Sequence, residues 1–231
     1  MVETFSSFAR RSFLSRFGAG AAVLGAGIAA VLPAQAQNRG GFQPRRHNED
    51  AWLDAPKGGH RVVIDSSTAD SGGAALLYAA NTFTANKAGY SLDPPDLAVV
   101  VVLRHLSTPF GYTDAIWAKY GAAFSELANF KDPKTKAAPM TNLYNSGDYG
   151  LTLPNFGNTI PSLVQKNVQF AICNMATRFV AGVIAEKTKG NADAIYQELS
   201  TNLIPNSHLV AAGVVAVNRA QEHGYSLLSA G

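Results

Sequence analysis

The run Leu97-Ala98-Val99-Val100-Val101-Val102-Leu103 limits the fold more than any other stretch of this chain. Valine is stiff at its first side-chain torsion, crowds a helix and packs well on a pleated surface. No polar residue interrupts the run, so neither face of such a strand can be left in water. A strand buried on both faces belongs inside a parallel sheet covered by helices.

The rest of the chain supplies matching pieces. Residues 61–65 read as a short apolar strand, and residues 66–73 as a turn with several capping residues. Residues 74–86 have helical spacing, with Leu77, Ala80 and Phe83 on one side. Residues 113–120 read as a helix capped by Thr113 or Asp114. The stretch 129–161 is rich in Pro, Gly and Asn and predicts a long irregular connection, which is uncommon unless it has a task. Residues 160–166 can make a short helix. Residues 168–173 read as a buried strand, followed by helices near 175–186 and 192–202. Residues 207–211 are a fourth strand, 214–222 a last helix ended by Gly224, and 225–228 a closing strand. Strands alternate with helices throughout, which predicts an α/β fold with a mostly parallel sheet.

The ends carry different information. Arg10-Arg11-Ser12-Phe13-Leu14 has the form of a twin-arginine export signature. A weakly apolar run from Phe17 to Leu32 follows, then Pro33 and Ala34-Gln35-Ala36, a small-x-small cleavage pattern. Residues 1–36 are therefore read as a signal peptide, with a periplasmic or otherwise exported protein as the product. Its apolar run is short for a bilayer, so no stable membrane span is expected after cleavage. Gly25-Ala26-Gly27-Ile28-Ala29-Ala30 fits a dinucleotide fingerprint, but it lies in the signal and follows no strand. Cleavage after Ala36 leaves 195 residues, enough for one domain, and lowers the net charge from +3 to +1. That balance gives no reason to expect nucleic-acid binding. Residues 37–59 read as a linker arm that Trp52 and Leu53 could dock, and residues 60–231 as the domain. His47, Glu49 and Asp50 on that arm are read as solvated charges, not a metal site.

Chemistry is expected outside the carboxyl ends of the strands, where parallel sheets bind ligands. Asp65 and Ser66 end the first strand, Arg104 and His105 the second, and Cys173 the third. The Ala212-Gly213 turn ends the fourth. Cys173 is the only cysteine, so it can form no disulfide within the chain. At a strand-to-helix turn it lies near the positive end of a helix dipole, which favours the nucleophilic thiolate. The competing reading is a small packed hydrophobe. In the functional reading Cys173 is the nucleophile or sulfur acceptor and His105 its base or imidazolium partner. Arg178 or Arg104 would hold an anion, with Asp65 and Ser66 alongside. The competing roles are a structural hydrogen bond for His105 and a carboxylate partner for Arg104. His208 and His223 need no function. Residues 66–73 lack a phosphate-loop lysine, so capping is their default role. One cysteine and scattered histidines make no zinc set, and no cofactor motif stands in the domain. Tyr112, Trp117, Tyr120 and Phe124 have the spacing of a core or subunit interface.

Asn167-Val168-Gln169-Phe170-Ala171-Ile172-Cys173, then Leu209-Val210-Ala211-Ala212-Gly213-Val214, then Gln221-Glu222-His223-Gly224-Tyr225, resemble the DsrE-like (YchN-like) family. The likeness in element order covers about residues 60–230 and is specific over 167–225. It implies a three-layer α/β/α domain with a five-stranded parallel sheet, assembled as a homo-oligomer. Some members relay sulfur as a persulfide on the cysteine that Cys173 matches. That branch has two adjacent arginines and a glycine after its cysteine; here Arg178 is followed by Phe179, with Gly182 further on. Two functions follow from the resemblance. One is an exported carrier of a small sulfur species, loaded by a small molecule or a partner protein. The other is a non-catalytic oligomeric subunit that binds a ligand or serves an assembly. An oxidoreductase with a bound cofactor draws on the export route alone.

Overall fold

A computed structural model describes residues 43–231. The expected signal peptide, residues 1–36, lies outside the described residues, as does the start of the arm. Five strands form one all-parallel sheet: β1 (His60–Ser66), β2 (Leu97–Leu103), β3 (Gln169–Cys173), β4 (Ser207–Val210) and β5 (Ser226–Ser229). Their order is β4-β3-β2-β1-β5, so the valine-rich β2 is central and all seven of its residues are buried. Alternate side chains divide between two cores. Val99, Val101 and Leu103 face one, and Ala98, Val100 and Val102 the other.

The helices are α1 (Ala69–Tyr90), α2 (Asp114–Ala128), α3 (Ile160–Val164), α4 (Asn174–Thr188), α5 (Ala192–Thr201) and α6 (Gly213–Glu222). The chain steps outward from β1 to β4 one strand at a time, with α1 to α5 all on one face. It then returns across the sheet to β5 by α6, on the other face. Right-handed crossovers require this change of face when the direction of stepping reverses. The result is a three-layer α/β/α fold.

The first helix begins earlier than its spacing predicts. Thr68 caps it in a reciprocal box with Ser71, and Gly72 and Gly73 lie inside the helix instead of in a turn. Their smallness serves packing: a Cβ on Gly73 would sit 2.6 Å from the hydroxyl of Tyr144. Tyr144 comes from the irregular 129–161 stretch, is fully buried, and donates its hydroxyl to the Ala69 carbonyl at 2.8 Å. That long connection is thus a packed cover on α1. Helix α2 likewise runs past its expected end at residue 120. Gly121 lets the carbonyl of Pro139 approach it, and Phe124 continues its buried side.

Residues 48–54, read from sequence as part of a linker, form a 3-10 turn on the α6 face. Leu53 is fully buried in the α6-side core, and its carbonyl accepts the Tyr225 hydroxyl at 2.7 Å. Trp52 stacks on His208 with ring centres 4.3 Å apart. His223 Nδ1 lies 3.0 Å from an Asp54 carboxylate oxygen, and Asp50 faces Arg219. Among the described residues, no helix is long and apolar enough to cross a membrane.

Candidate functional site

The connections leaving β3 and β4 depart to opposite faces: α4 packs on the face that carries α1 to α5, and α6 on the other. Such a divergence opens a crevice at the carboxyl edge of a parallel sheet. A cavity of about 330 Å³ lies there. Cys173 at the end of β3, Arg104 and His105 after β2, and Ala212 and Gly213 after β4 all line it.

Cys173 is both the last residue of β3 and the N-cap of α4. Its sulfur accepts the backbone N–H of Ala176 at 3.4 Å, so the first turn of the helix donates directly to the thiol. The residue is 6% exposed. A chain of hydroxyls fixes this corner from beneath. Tyr112 donates to Thr177, and Thr177 donates to the Cys173 carbonyl, each at 3.0 Å. Burial holds the Tyr112 phenol above its ordinary pKa, so it stays a neutral donor.

Arg104 grips Asp65 with two parallel bonds, Nε to Oδ1 and Nη2 to Oδ2, both 2.8 Å. These bonds raise the pKa of the guanidinium above its ordinary value, against the opposing effect of partial burial. The stem of Arg104 lies on Gly213, where a Cβ would collide with it. Gly213 therefore sets how closely the start of α6 approaches the sheet edge. His105 is exposed at the rim with φ of 54°. This left-handed conformation costs a bulky residue of the order of 1 kcal/mol. Hydrogen bonds on both sides hold it: Arg104 N–H to the Ser66 carbonyl and Leu106 N–H to the Ser67 carbonyl.

Of the six residues singled out from sequence, Cys173, His105 and Arg104 line the cavity, and Asp65 reaches it through Arg104. Ser66 does not. Its hydroxyl is buried and donates to the Val102 carbonyl at 2.7 Å beside Ser107, tying β1 to β2. Arg178 does not either; its guanidinium lies 3.9 Å from the centre of the Tyr196 ring and bridges α4 to α5.

No family model matches this chain, and no curated protein matches it. The chemical reading of the cavity therefore stands on its own geometry.

Sequence reasoning missed the walls. Leu106, Met175, Phe179 and Val214 line the cavity, and the last three are 68%, 58% and 61% exposed. Met175 and Phe179 are four apart on α4, so they share a face. The buried stripe of that helix is Thr177, Val180, Ala181, Ile184 and Ala185. Large apolar residues outside the stripe are the signal that could have marked the mouth.

The arrangement brings a shielded thiol, one backbone N–H donated to its sulfur, and an imidazole ring at the rim to one small cavity. Among the described residues no group of three or more His, Cys, Asp or Glu side chains is placed to hold a metal ion.

Proposed function

We propose that this protein is an exported sulfur carrier that holds a sulfur atom as a persulfide on Cys173. The observation that carries this reading is the cavity at the switch point, with Cys173 in its lining and the Cys173 sulfur receiving the Ala176 N–H. In loading, the Cys173 thiolate attacks the outer sulfur of a donor that contains an S–S bond. A new S–S bond forms, the donor bond breaks, and the donor leaves as a thiolate. His105 is the titratable base at the rim that can take the thiol proton at the start. The Ala176 N–H in the first turn of α4 is placed to donate to that sulfur. The twin-arginine segment supports export, and the DsrE-like motifs support this use of Cys173.

A second reading draws on one observation: the exposed apolar side chains of Met175, Phe179 and Val214 ring the mouth. In that reading the cavity edge is a contact surface of a homo-oligomeric or assembly subunit, and the thiol is a packed end of β3.

Mass spectrometry of the native protein after polysulfide treatment separates the two. Gain of one sulfur atom, absent in Cys173→Ala, supports the carrier. No gain, together with thiol labelling only as fast as global unfolding, overturns it. The export reading is tested apart from this, by N-terminal sequencing of secreted material. It predicts a start at Gln37 that is lost when Arg10 and Arg11 are both changed to Lys.

A further inference from the structure

We infer that the donor this cavity takes is an organic hydropersulfide whose substituent is apolar and uncharged, not one that bears carboxylates; this rests on the sulfur-carrier reading above. The volume, about 330 Å³, is at the small end for sites that take a small organic molecule. Beyond Cys173, Arg104 and His105, the lining is apolar: Leu106, Met175, Ala176, Phe179, Ala212 and Val214, with Gly213.

The one guanidinium on that lining is already engaged. Asp65 holds its Nε and Nη2 and already balances its charge, so a bound carboxylate would have to share one positive charge with a carboxylate already in place. The next arginine along α4, Arg178, is spent on Tyr196. An anionic donor would shed its hydration against apolar walls, where the lining guanidinium is already paired with a carboxylate. The Ala176 N–H in the first turn of α4 is directed at the Cys173 sulfur itself. It serves the protein's sulfur and leaves the donor's substituent to apolar contact.

The chemistry balances without an oxidant. Cys173–S⁻ attacks the outer sulfur of R–S–S–H, forming Cys173–S–S–H as the donor's own S–S bond breaks and R–S⁻ departs. The sulfur atom moves at its own oxidation level, its proton stays on it, and the negative charge passes to the leaving thiolate at the mouth.

The test is a matched pair of donors on the full chain, benzyl hydropersulfide and glutathione hydropersulfide, with the one-sulfur mass gain on Cys173 followed in time. The benzyl donor is expected to load about tenfold faster, the effect of burying one or two methylene-sized pieces of apolar surface. Phe179→Lys changes an exposed position, so the fold is kept, and it should bring the two rates toward parity. An unchanged urea unfolding midpoint in the same variant shows that the fold is kept. Equal or faster loading by glutathione hydropersulfide in the unaltered protein overturns the substrate inference and leaves the carrier reading standing. Loading by neither donor overturns the carrier reading itself.

Discussion

The two faces of the sheet are covered very differently. One carries α1 to α5 and a core that includes Phe110, Tyr112, Trp117, Phe124 and Phe170. The other carries α6 alone, with the 48–54 turn beside it, over a small core of Leu53, Tyr225 and mostly alanine and valine. Ala98 and Ala171 on the sheet meet Ala216 and Ala220 on the helix, so α6 packs close. The contrast explains where the cavity lies. The thick layer fixes Cys173 through α4 and the Tyr112–Thr177 hydroxyls, while the thin layer brings Gly213 against Arg104. The site is the seam between a thick layer and a thin one.

Substitutions on the two faces sharpen this contrast. The largest effect is expected for Trp117→Ala, which removes a fully buried ring whose Nε1 donates to the Pro109 carbonyl. It should cost about 3–5 kcal/mol, read from urea unfolding. Leu53→Ala on the thin face should cost about 2 kcal/mol, the low end for a buried leucine, because the 48–54 turn can readjust. Equal costs for the two would contradict the difference in the layers.

Gly213→Ala should destabilise by about 1–2 kcal/mol through overpacking against the Arg104 stem. It should also raise the rate of Cys173 alkylation by moving the start of α6 off the sheet edge. An unchanged alkylation rate would mean that α6 does not wall the site.

The smallest effect concerns pH. Burial lowers the pKa of His208, whose ring is stacked on Trp52 and bonded to Gln169. The unfolded chain therefore takes up this proton more readily than the folded one. Stability tied to the neutral ring is fully present above an ordinary histidine pKa of about 6.5 and falls as pH drops through the lowered folded value. His208→Asn should flatten unfolding midpoints between neutral and mildly acidic pH. The Asp54 carboxyl, held below its ordinary value chiefly by the His223 hydrogen bond, acts only at more acidic pH.

Local signals carried most of the fold. The β2 run needed no tertiary information, since only a doubly covered strand suits seven apolar residues. Gly224 closes the α6 segment with φ of 84° as a helix end requires. Where sequence reading failed, a distant contact had decided the matter. Gly72 and Gly73 look like a turn until Tyr144 is seen against them. Trp52 and Leu53 are legible as residues that dock the arm, but that residues 48–54 form a 3-10 turn with a buried leucine depends on the face that α6 leaves to be covered. The site shows the same division. Strand ends placed Cys173, Arg104 and His105, because parallel topology brings those ends together. The pairing of Arg104 with Asp65, the loss of Arg178 to Tyr196 and the burial of Ser66 depend on neighbours that spacing does not show.

The central claim is that the Cys173 sulfur is open to a small donor through this cavity while the protein remains folded. Native-state mass spectrometry after brief exposure to a hydropersulfide tests it most directly. The account predicts gain of one sulfur atom on Cys173, at a rate well above that of global unfolding. A thiol that stays unmodified until the protein unfolds would contradict it.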